Sequence, residues 1–193
     1  MPEKLRLRFE KTGRAIYISH LDLMRTMQRV FLRADCPLKY SEGFNPHALI
    51  SILLPLSVGV GSVCELMDFQ LREDVDLAAL PERLTAVMPE GIRALEAYPA
   101  GRKVRELKWL RVTGRYEYDR ADPAEMAQKL SAFYARDAIV ITRKTKRGEG
   151  QMDIVPAIAE LHIRPEDTCV TVEAVISAQE PTLNPDHLVA ALQ

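Results

Sequence analysis

Cysteines are few in this chain of 193 residues, and their placement excludes the structures that cysteines usually build. Cys36, Cys64 and Cys169 are far apart, and none belongs to a C-x-x-C pair. A disulfide framework or a zinc ribbon is therefore not expected. No apolar run approaches the roughly 20 residues that span a bilayer, and the N-terminus M-P-E-K-L-R has no signal-peptide core. We expect a reduced, cytoplasmic protein.

Motifs for nucleotides and redox cofactors are also missing. The sequence contains no G-x-x-x-x-G-K-S/T, G-x-G-x-x-G, G-x-S-x-G or C-x-x-x-C-x-x-C. Gly59 and Gly61 form too short a pattern to indicate a phosphate loop, and no histidine pair has the spacing of metal ligands. We therefore expect no cofactor and no metal in the chain itself.

The charge of the chain is balanced in total but uneven along the sequence. The formal net charge is -1 at pH 7. Residues 1–40 hold 9 basic and 4 acidic side chains, residues 41–100 hold 3 and 9, residues 101–150 hold 13 and 7, and residues 151–193 hold 1 and 7. Because basic and acidic blocks alternate, a neutral total does not exclude a basic surface that attracts a polyanion.

The hydrophobic periodicity predicts an α+β protein of two tandem ferredoxin-like (βαββαβ) units, over residues 1–100 and 101–193. Residues 4–10 alternate as a half-buried strand, and Ser19 with Asp22 has the spacing of a helix capping box. The first hundred residues then follow the order β-α-β-β-α-β. The second unit begins the same order but lacks its last strand. Either the chain is C-terminally truncated, or the sheet edge is open or covered by another molecule.

Residues 40–47, Y-S-E-G-F-N-P-H, combine turn formers with an aromatic ring, a carboxylate, an amide and an imidazole. A loop that only reverses the chain seldom carries all four, so the 40–47 loop is a candidate ligand site. The hairpin that follows could bring Glu65 near this loop, and Asp68 belongs to the same polar set. His20 and His47 are candidates for acid/base catalysis. The competing interpretation is that these are helix caps, turn residues and surface histidines.

Basic side chains form a second candidate site. On the first strand, Arg6 and Arg8 should lie on the sheet face away from the helices, and Arg25 and Arg29 belong to one stripe of the first helix. The predicted contacts to phosphate are Arg6, Arg8, Arg25, Arg29, Lys144, Lys146 and Arg147. The first strand offers no aromatic residue on that face, so base stacking of the RRM type is not expected there. A solvated charged surface is the alternative.

Three motifs resemble a bacterial family. They are S-H-L-D at residues 19–22, Y-S-E-G-F-N-P-H at 40–47 and P-L-S-V-G-V-G-S-V-C-E at 55–65. Together they resemble the radical-SAM-linked proteins, a domain of unknown function found beside or fused to a cobalamin-binding radical SAM protein. Ala48 departs from the proline usual after the histidine. The resemblance implies that the motif residues form a site, without assigning roles to Ser19, His20, Asp22, Glu42, Gly43, Phe44, Asn45, Pro46, His47 and Glu65.

Three functions remain open from the sequence. The first is a non-catalytic accessory or substrate-recognition module that works with a radical SAM protein and binds RNA or a ribosome-linked substrate. The second is a metal-independent endoribonuclease resembling the CRISPR repeat-processing enzymes, with His20 as the acid/base group. The glycine-rich loop expected near the end of that family is not evident here. The third is a protein-interaction scaffold.

Overall fold

The computed structural model describes residues 4–145 and 148–192 and divides the chain into two compact units, Met1–Val104 and Arg105–Gln193. The described residues form three antiparallel sheets and four α-helices. The predicted α+β class is therefore confirmed.

The first unit contains one four-stranded sheet. Its strands are Leu5–Lys11 (β1), Ile50–Leu53 (β2), Ser62–Phe69 (β3) and Ile92–Pro99 (β4). They lie in the order β2-β3-β1-β4, and every neighbouring pair is antiparallel. Helix His20–Arg33 (α1) connects β1 to β2, and helix Leu80–Thr85 (α2) connects β3 to β4.

Helix α1 forms because a polar cap precedes an apolar stripe of helical spacing. Ser19 is the N-cap residue, and its side chain accepts a hydrogen bond from the backbone N–H of Asp22. The buried residues of the helix follow the i, i+4, i+7, i+8 pattern, and they are Leu23, Met27, Val30 and Phe31. The rings of Phe31 and Phe69 lie 5.0 Å apart. This contact fixes the helix on the sheet.

The register of β1 and β3 decides which side chains face the core. Leu7 lies opposite Met67 and Phe9 opposite Glu65, so these residues share the core face. Arg6 lies opposite Asp68, one position out of phase, on the other face of the sheet. A charged residue is thus present on both faces of β3.

The second unit contains a three-stranded sheet and a separate hairpin. The strands are Trp109–Glu117 (β5), Val140–Thr145 (β6), Gly148–Asp153 (β7), Ile158–Pro165 (β8) and Cys169–Ser177 (β9). The larger sheet has the order β5-β9-β8, and β6 pairs with β7. The helices are Pro123–Tyr134 (α3) and Pro185–Ala190 (α4).

The sequence pattern does not indicate two strands of this unit. Strand β7 has a glycine-rich and polar sequence that carries no strand pattern. Strand β8 is largely exposed and ends at Pro165, so it carries no apolar run of its own. In chain order, β5, β8 and β9 are arranged in their sheet as β1, β2 and β3 are in the first unit.

Candidate functional site

The 40–47 loop is a closed hairpin-like turn at one end of the first sheet. Tyr40 and Ala48 form an isolated bridge, and the backbone N–H of Ser41 donates to the carbonyl of His47 at 2.8 Å. Gly43 takes a φ of +115°, which a residue with a side chain rarely adopts. The base of the loop is attached beyond β3, because the N–H of Gln70 donates to the Leu49 carbonyl.

The imidazole of His47 is held by Ser41. The Ser41 hydroxyl oxygen accepts from the His47 backbone N–H at 3.0 Å and lies 2.9 Å from Nδ1 of the ring. If the hydroxyl proton is assigned to the bond with Nδ1, the neutral ring carries its own proton on Nε2. In this tautomer, Nε2 is a hydrogen-bond donor for a ligand.

Phe44 stands fully exposed at the tip of the loop, with a relative exposure of 108%. Its neighbours Glu42, Asn45 and Pro46 are exposed as well. At the loop base, Tyr40 is 43% exposed, and the guanidinium carbon of Arg72 lies 5.6 Å from the centre of its ring. The sequence singled out Phe44 but gave no signal that its ring would be entirely in solvent.

A cluster of charges lies beside the base of the loop. The Arg6 guanidinium donates to both oxygens of Asp68, at 2.6 and 3.2 Å, and Lys4 Nζ lies 2.8 Å from Asp68 Oδ2. Burial alone would raise the pKa of Asp68, but the hydrogen bonds from Arg6 and Lys4 outweigh it and hold that pKa below its usual value. The carboxylate therefore stays ionised between two cations.

This cluster corrects the phosphate contact predicted for Arg6. The residue is only 7% exposed, and it also donates to the carbonyl of Arg102 at 2.9 Å. A guanidinium bound in this way stabilises the sheet and is not available to bind a phosphate. The prediction failed because Asp68 lies 62 residues away in the sequence.

A pocket of about 220 Å³ opens at the same place. Its polar lining includes Lys4, His47, Ser51, Asp68 and Gln70, and Leu49 is among its apolar residues. Lys4 and Ser51 were not among the predicted site residues. Ser51 lies directly opposite Asp68 in the pairing of β2 with β3, which is why its hydroxyl joins the cluster.

The start of α1 carries a second group of the predicted residues. The Ser19 hydroxyl donates to Asp22 at 2.7 Å, and Arg25 donates to the same carboxylate at 3.1 Å. The hydrogen bond from Ser19, followed by that from Arg25, lowers the pKa of Asp22. His20 is exposed as the first residue of α1, and the hydrogen bonds of Asp22 join it to Ser19 and Arg25.

Glu65 lies at this α1 end of the sheet and not beside the 40–47 loop. It is opposite Phe9, whereas the loop is attached at Gln70. The two positions are five residues apart along an extended chain, or about 17 Å at roughly 3.4 Å per residue. The expectation that the hairpin brings Glu65 to the loop is therefore wrong, because the strand separates them.

Lys11 is the buried neighbour of Glu65, and it is not among the predicted site residues. Lys11 is 2% exposed and Glu65 is 5% exposed. Burial lowers the pKa of Lys11 and raises that of Glu65, while each charge partly offsets the shift of the other. The signal was present in the sequence, since Lys11 continues the alternation of Leu5, Leu7 and Phe9 on the core face.

The other predicted phosphate contacts are spread over the structure. Arg8 lies 3.4 Å from Glu96, and both side chains are substantially exposed. Arg25 is paired with Asp22, and Arg29 is exposed on α1. Lys146, Arg147 and the side chain of Lys144 lie outside the described residues.

Among the residues that the structure describes, no group of three or more His, Cys, Asp or Glu side chains is placed to hold a metal ion. In the same part of the chain, no helix is long and apolar enough to cross a membrane.

Comparison with known families assigns the chain. Residues 4–185 match the family described as "Uncharacterized protein conserved in bacteria (DUF2344)". The chain belongs to this bacterial family. The matched region includes the 40–47 loop, the Asp68 cluster and the start of α1, so all three are features of a DUF2344 domain. No curated protein matches the chain.

Proposed function

We propose that the protein is a cytoplasmic accessory module that binds RNA through the 40–47 loop and presents it to a radical SAM enzyme. The observation that carries the proposal is the fully exposed ring of Phe44 at the tip of a closed loop. An aromatic side chain of this size contributes about 1.5–3 kcal/mol when it is buried, so its exposure leaves that contribution for a binding partner.

Single-stranded RNA is a partner that matches this loop. Unstacked bases bind by stacking on aromatic rings, with about 1–3 kcal/mol per base, and they use hydrogen bonds to nearby polar groups for selectivity. Asn45 and His47 supply such groups next to Phe44. Because the hydrogen bonds between Ser41 and His47 already fix the loop, little ordering remains for the binding step.

The strand order supports the finer fold that the sequence predicted. The order β2-β3-β1-β4 with α1 and α2 as connections is that of a ferredoxin-like unit. The order β5-β9-β8 corresponds to the first three strands of a second such unit, with the β6–β7 hairpin inserted after α3. We infer a tandem ferredoxin-like protein on this basis.

The radical SAM partner is inferred from the three sequence motifs, two of which lie at the α1 end of the sheet. Apolar side chains are exposed there: Tyr17 is 69%, Leu21 is 65% and Val58 is 59% exposed. The N–H of Gly59 donates to the carbonyl of Ile16 at 2.9 Å, which holds these segments together. In this proposal the α1 end contacts the partner enzyme while the loop end binds RNA.

Equilibrium binding to a fluorescent single-stranded RNA tests the loop. Phe44→Ala should weaken binding by roughly tenfold or more, as expected for the loss of one stacked base. Tyr17→Ala is the matched control, because Tyr17 is an aromatic residue that is 69% exposed just before α1, at the end of the sheet opposite the loop. Equal affinities for wild type and Phe44→Ala would contradict RNA binding through this loop.

Affinity purification from the native host tests the partner. Recovery of a radical SAM protein that survives ribonuclease, together with RNA that does not, is the expected result. Loss of the radical SAM protein in Leu21→Glu, but not in Phe44→Ala, would support separate contacts at the two ends. If no radical SAM protein is recovered with the wild-type chain, the partner assignment is wrong.

A further inference from the structure

The pocket beside the 40–47 loop is lined by Lys4 and Asp68, and Asp68 is bound by a second cation, Arg6. The carboxylate that lines it, Asp68, already accepts from Arg6 and Lys4 through both oxygens. Two cations around one carboxylate leave one positive charge in excess. Because the pKa of Asp68 is lowered, its carboxylate stays ionised near neutral pH and balances one of the two cations.

Donors face the same space from three segments. Lys4 Nζ has hydrogens beyond the one given to Asp68, and its side chain is 56% exposed. Ser51 of β2 and His47 also line the pocket, and the Ser41 hydroxyl lies 2.9 Å from Nδ1 of the His47 ring. An ammonium, a hydroxyl and an imidazole N–H are typical ligands of an oxyanion.

The size of the pocket limits what it can hold. A volume of about 220 Å³ is smaller than the roughly 300–1,000 Å³ of sites that enclose a drug-sized molecule. It is suited to a charged group with part of the molecule that carries it. Leu49, an apolar residue of the lining, would contact the uncharged part.

We propose that this pocket binds a phosphate group of a nucleotide, through Lys4, Ser51 and His47. The inference rests on the proposed function, since it identifies the part of the RNA that lies at the base of the loop. A nucleotide whose base contacts Phe44 would place its sugar-phosphate chain along the loop toward the pocket. The pocket then fixes the position of the strand, and the exposed ring contacts the base.

The test is an NMR titration of the full chain with adenosine 5′-monophosphate, adenosine and acetate. The monophosphate should shift the backbone amide signals of Ser51 and Gln70 to saturation, at concentrations where adenosine and acetate do not. Ser51→Glu should weaken monophosphate binding roughly tenfold, as expected when a hydrogen bond to a charged group is replaced by repulsion. Thr113→Glu is the matched control, because Thr113 is an exposed hydroxyl residue on β5 of the second unit.

Two outcomes would overturn the phosphate site. Adenosine or acetate could bind as well as the monophosphate, or Ser51→Glu could bind the monophosphate as wild type does. Lys4→Met gives a second variant that should also weaken binding without placing a new charge in the pocket.

The result is separable from the RNA proposal. If Phe44→Ala loses RNA while Ser51→Glu binds RNA and monophosphate normally, the phosphate site is wrong and the RNA proposal stands. If the protein binds the monophosphate at the pocket but no RNA, the phosphate site stands and the RNA proposal is wrong.

Discussion

Arg6 holds both carboxylate oxygens of Asp68 across neighbouring strands, at 2.6 and 3.2 Å, with both side chains almost fully buried. A buried pair of this kind is costly to break from one side, because the remaining charge has no compensation. A substitution of either residue of the pair is therefore expected to destabilise the pairing of β1 with β3.

Asp68→Asn should destabilise the first unit by about 3–5 kcal/mol, because it leaves the Arg6 guanidinium buried without its counter-charge. Urea unfolding near pH 7 measures the loss. Glu96→Gln is the control, since it removes the exposed partner of Arg8 and should cost at most about 1 kcal/mol. A loss for Asp68→Asn no larger than that of the control would contradict a structural role for the pair.

The same comparison should depend on pH in a defined direction. The pKa of Asp68 is lowered in the folded protein, so its stabilising effect is present above the unfolded value of about 3.9. It is lost as the pH falls through the folded pKa. The difference in unfolding free energy between wild type and Asp68→Asn should be constant near neutrality and should shrink in strong acid.

Lys11→Met should extend to higher pH the fall in stability that the raised pKa of Glu65 already causes in the wild type. Removal of the ammonium leaves Glu65 buried without the charge that opposes burial, so the pKa of Glu65 should rise further above its ordinary value. The folded protein then binds a proton that the unfolded chain releases, and stability drops as the pH rises from about 4 toward that raised pKa. Urea unfolding at several pH values measures the slope. In the double variant Lys11→Met/Glu65→Leu the slope should disappear, and its persistence there would exclude Glu65 as the cause.

Gly91→Ala should be more destabilising than Gly59→Ala. Both glycines have a positive φ, +85° and +91°, so both substitutions carry the strain of a left-handed backbone, about 1–2 kcal/mol. At Gly91 the new Cβ would also lie 2.4 Å from the Thr12 carbonyl oxygen, whereas at Gly59 nothing lies within 4 Å. Thermal unfolding of the two variants separates the cost of backbone strain from the cost of the steric clash with Thr12. Equal losses would mean that the turn at Thr12 moves freely.

Arg8→Gln should reduce the salt dependence of RNA binding without changing stability. Arg8 is 40% exposed and its pair with Glu96 is long, so the arginine is available to a phosphate. The slope of log affinity against log salt should fall by about one. An unchanged slope would place the RNA away from this face of the first sheet.

Local patterns were sufficient for the first unit, because its elements form from neighbouring residues. The capped start of α1 and the alternation of β1 are both readable from a few consecutive positions. The second unit was harder, since β7 and β8 are glycine-rich or largely exposed and are held by pairing with β6 and β9 rather than by a hydrophobic pattern of their own.

The site was only partly predictable for the same reason. The composition of the 40–47 loop was sufficient to identify it as a candidate site. The burial of Arg6 and the contribution of Lys4 and Ser51 depend on Asp68, which only the strand pairing brings to them. The spacing of three residues places Glu65 and Asp68 on opposite faces of a strand, but it does not show which cation lies near each carboxylate.

The charges of β3 also protect the sheet against misalignment. Glu65 faces the core beside Lys11, and Asp68 faces outward beside Arg6. A slip of one residue between β1 and β3 would turn each carboxylate to the face that lacks its cation. It would also place a charged side chain against apolar ones. An apolar strand could tolerate such an error during folding, whereas this one accepts a single alignment. The Arg6–Asp68 ion pair on one face, together with the buried charges of Lys11 and Glu65 on the other, thus favours one register of the sheet on which the loop and its pocket depend.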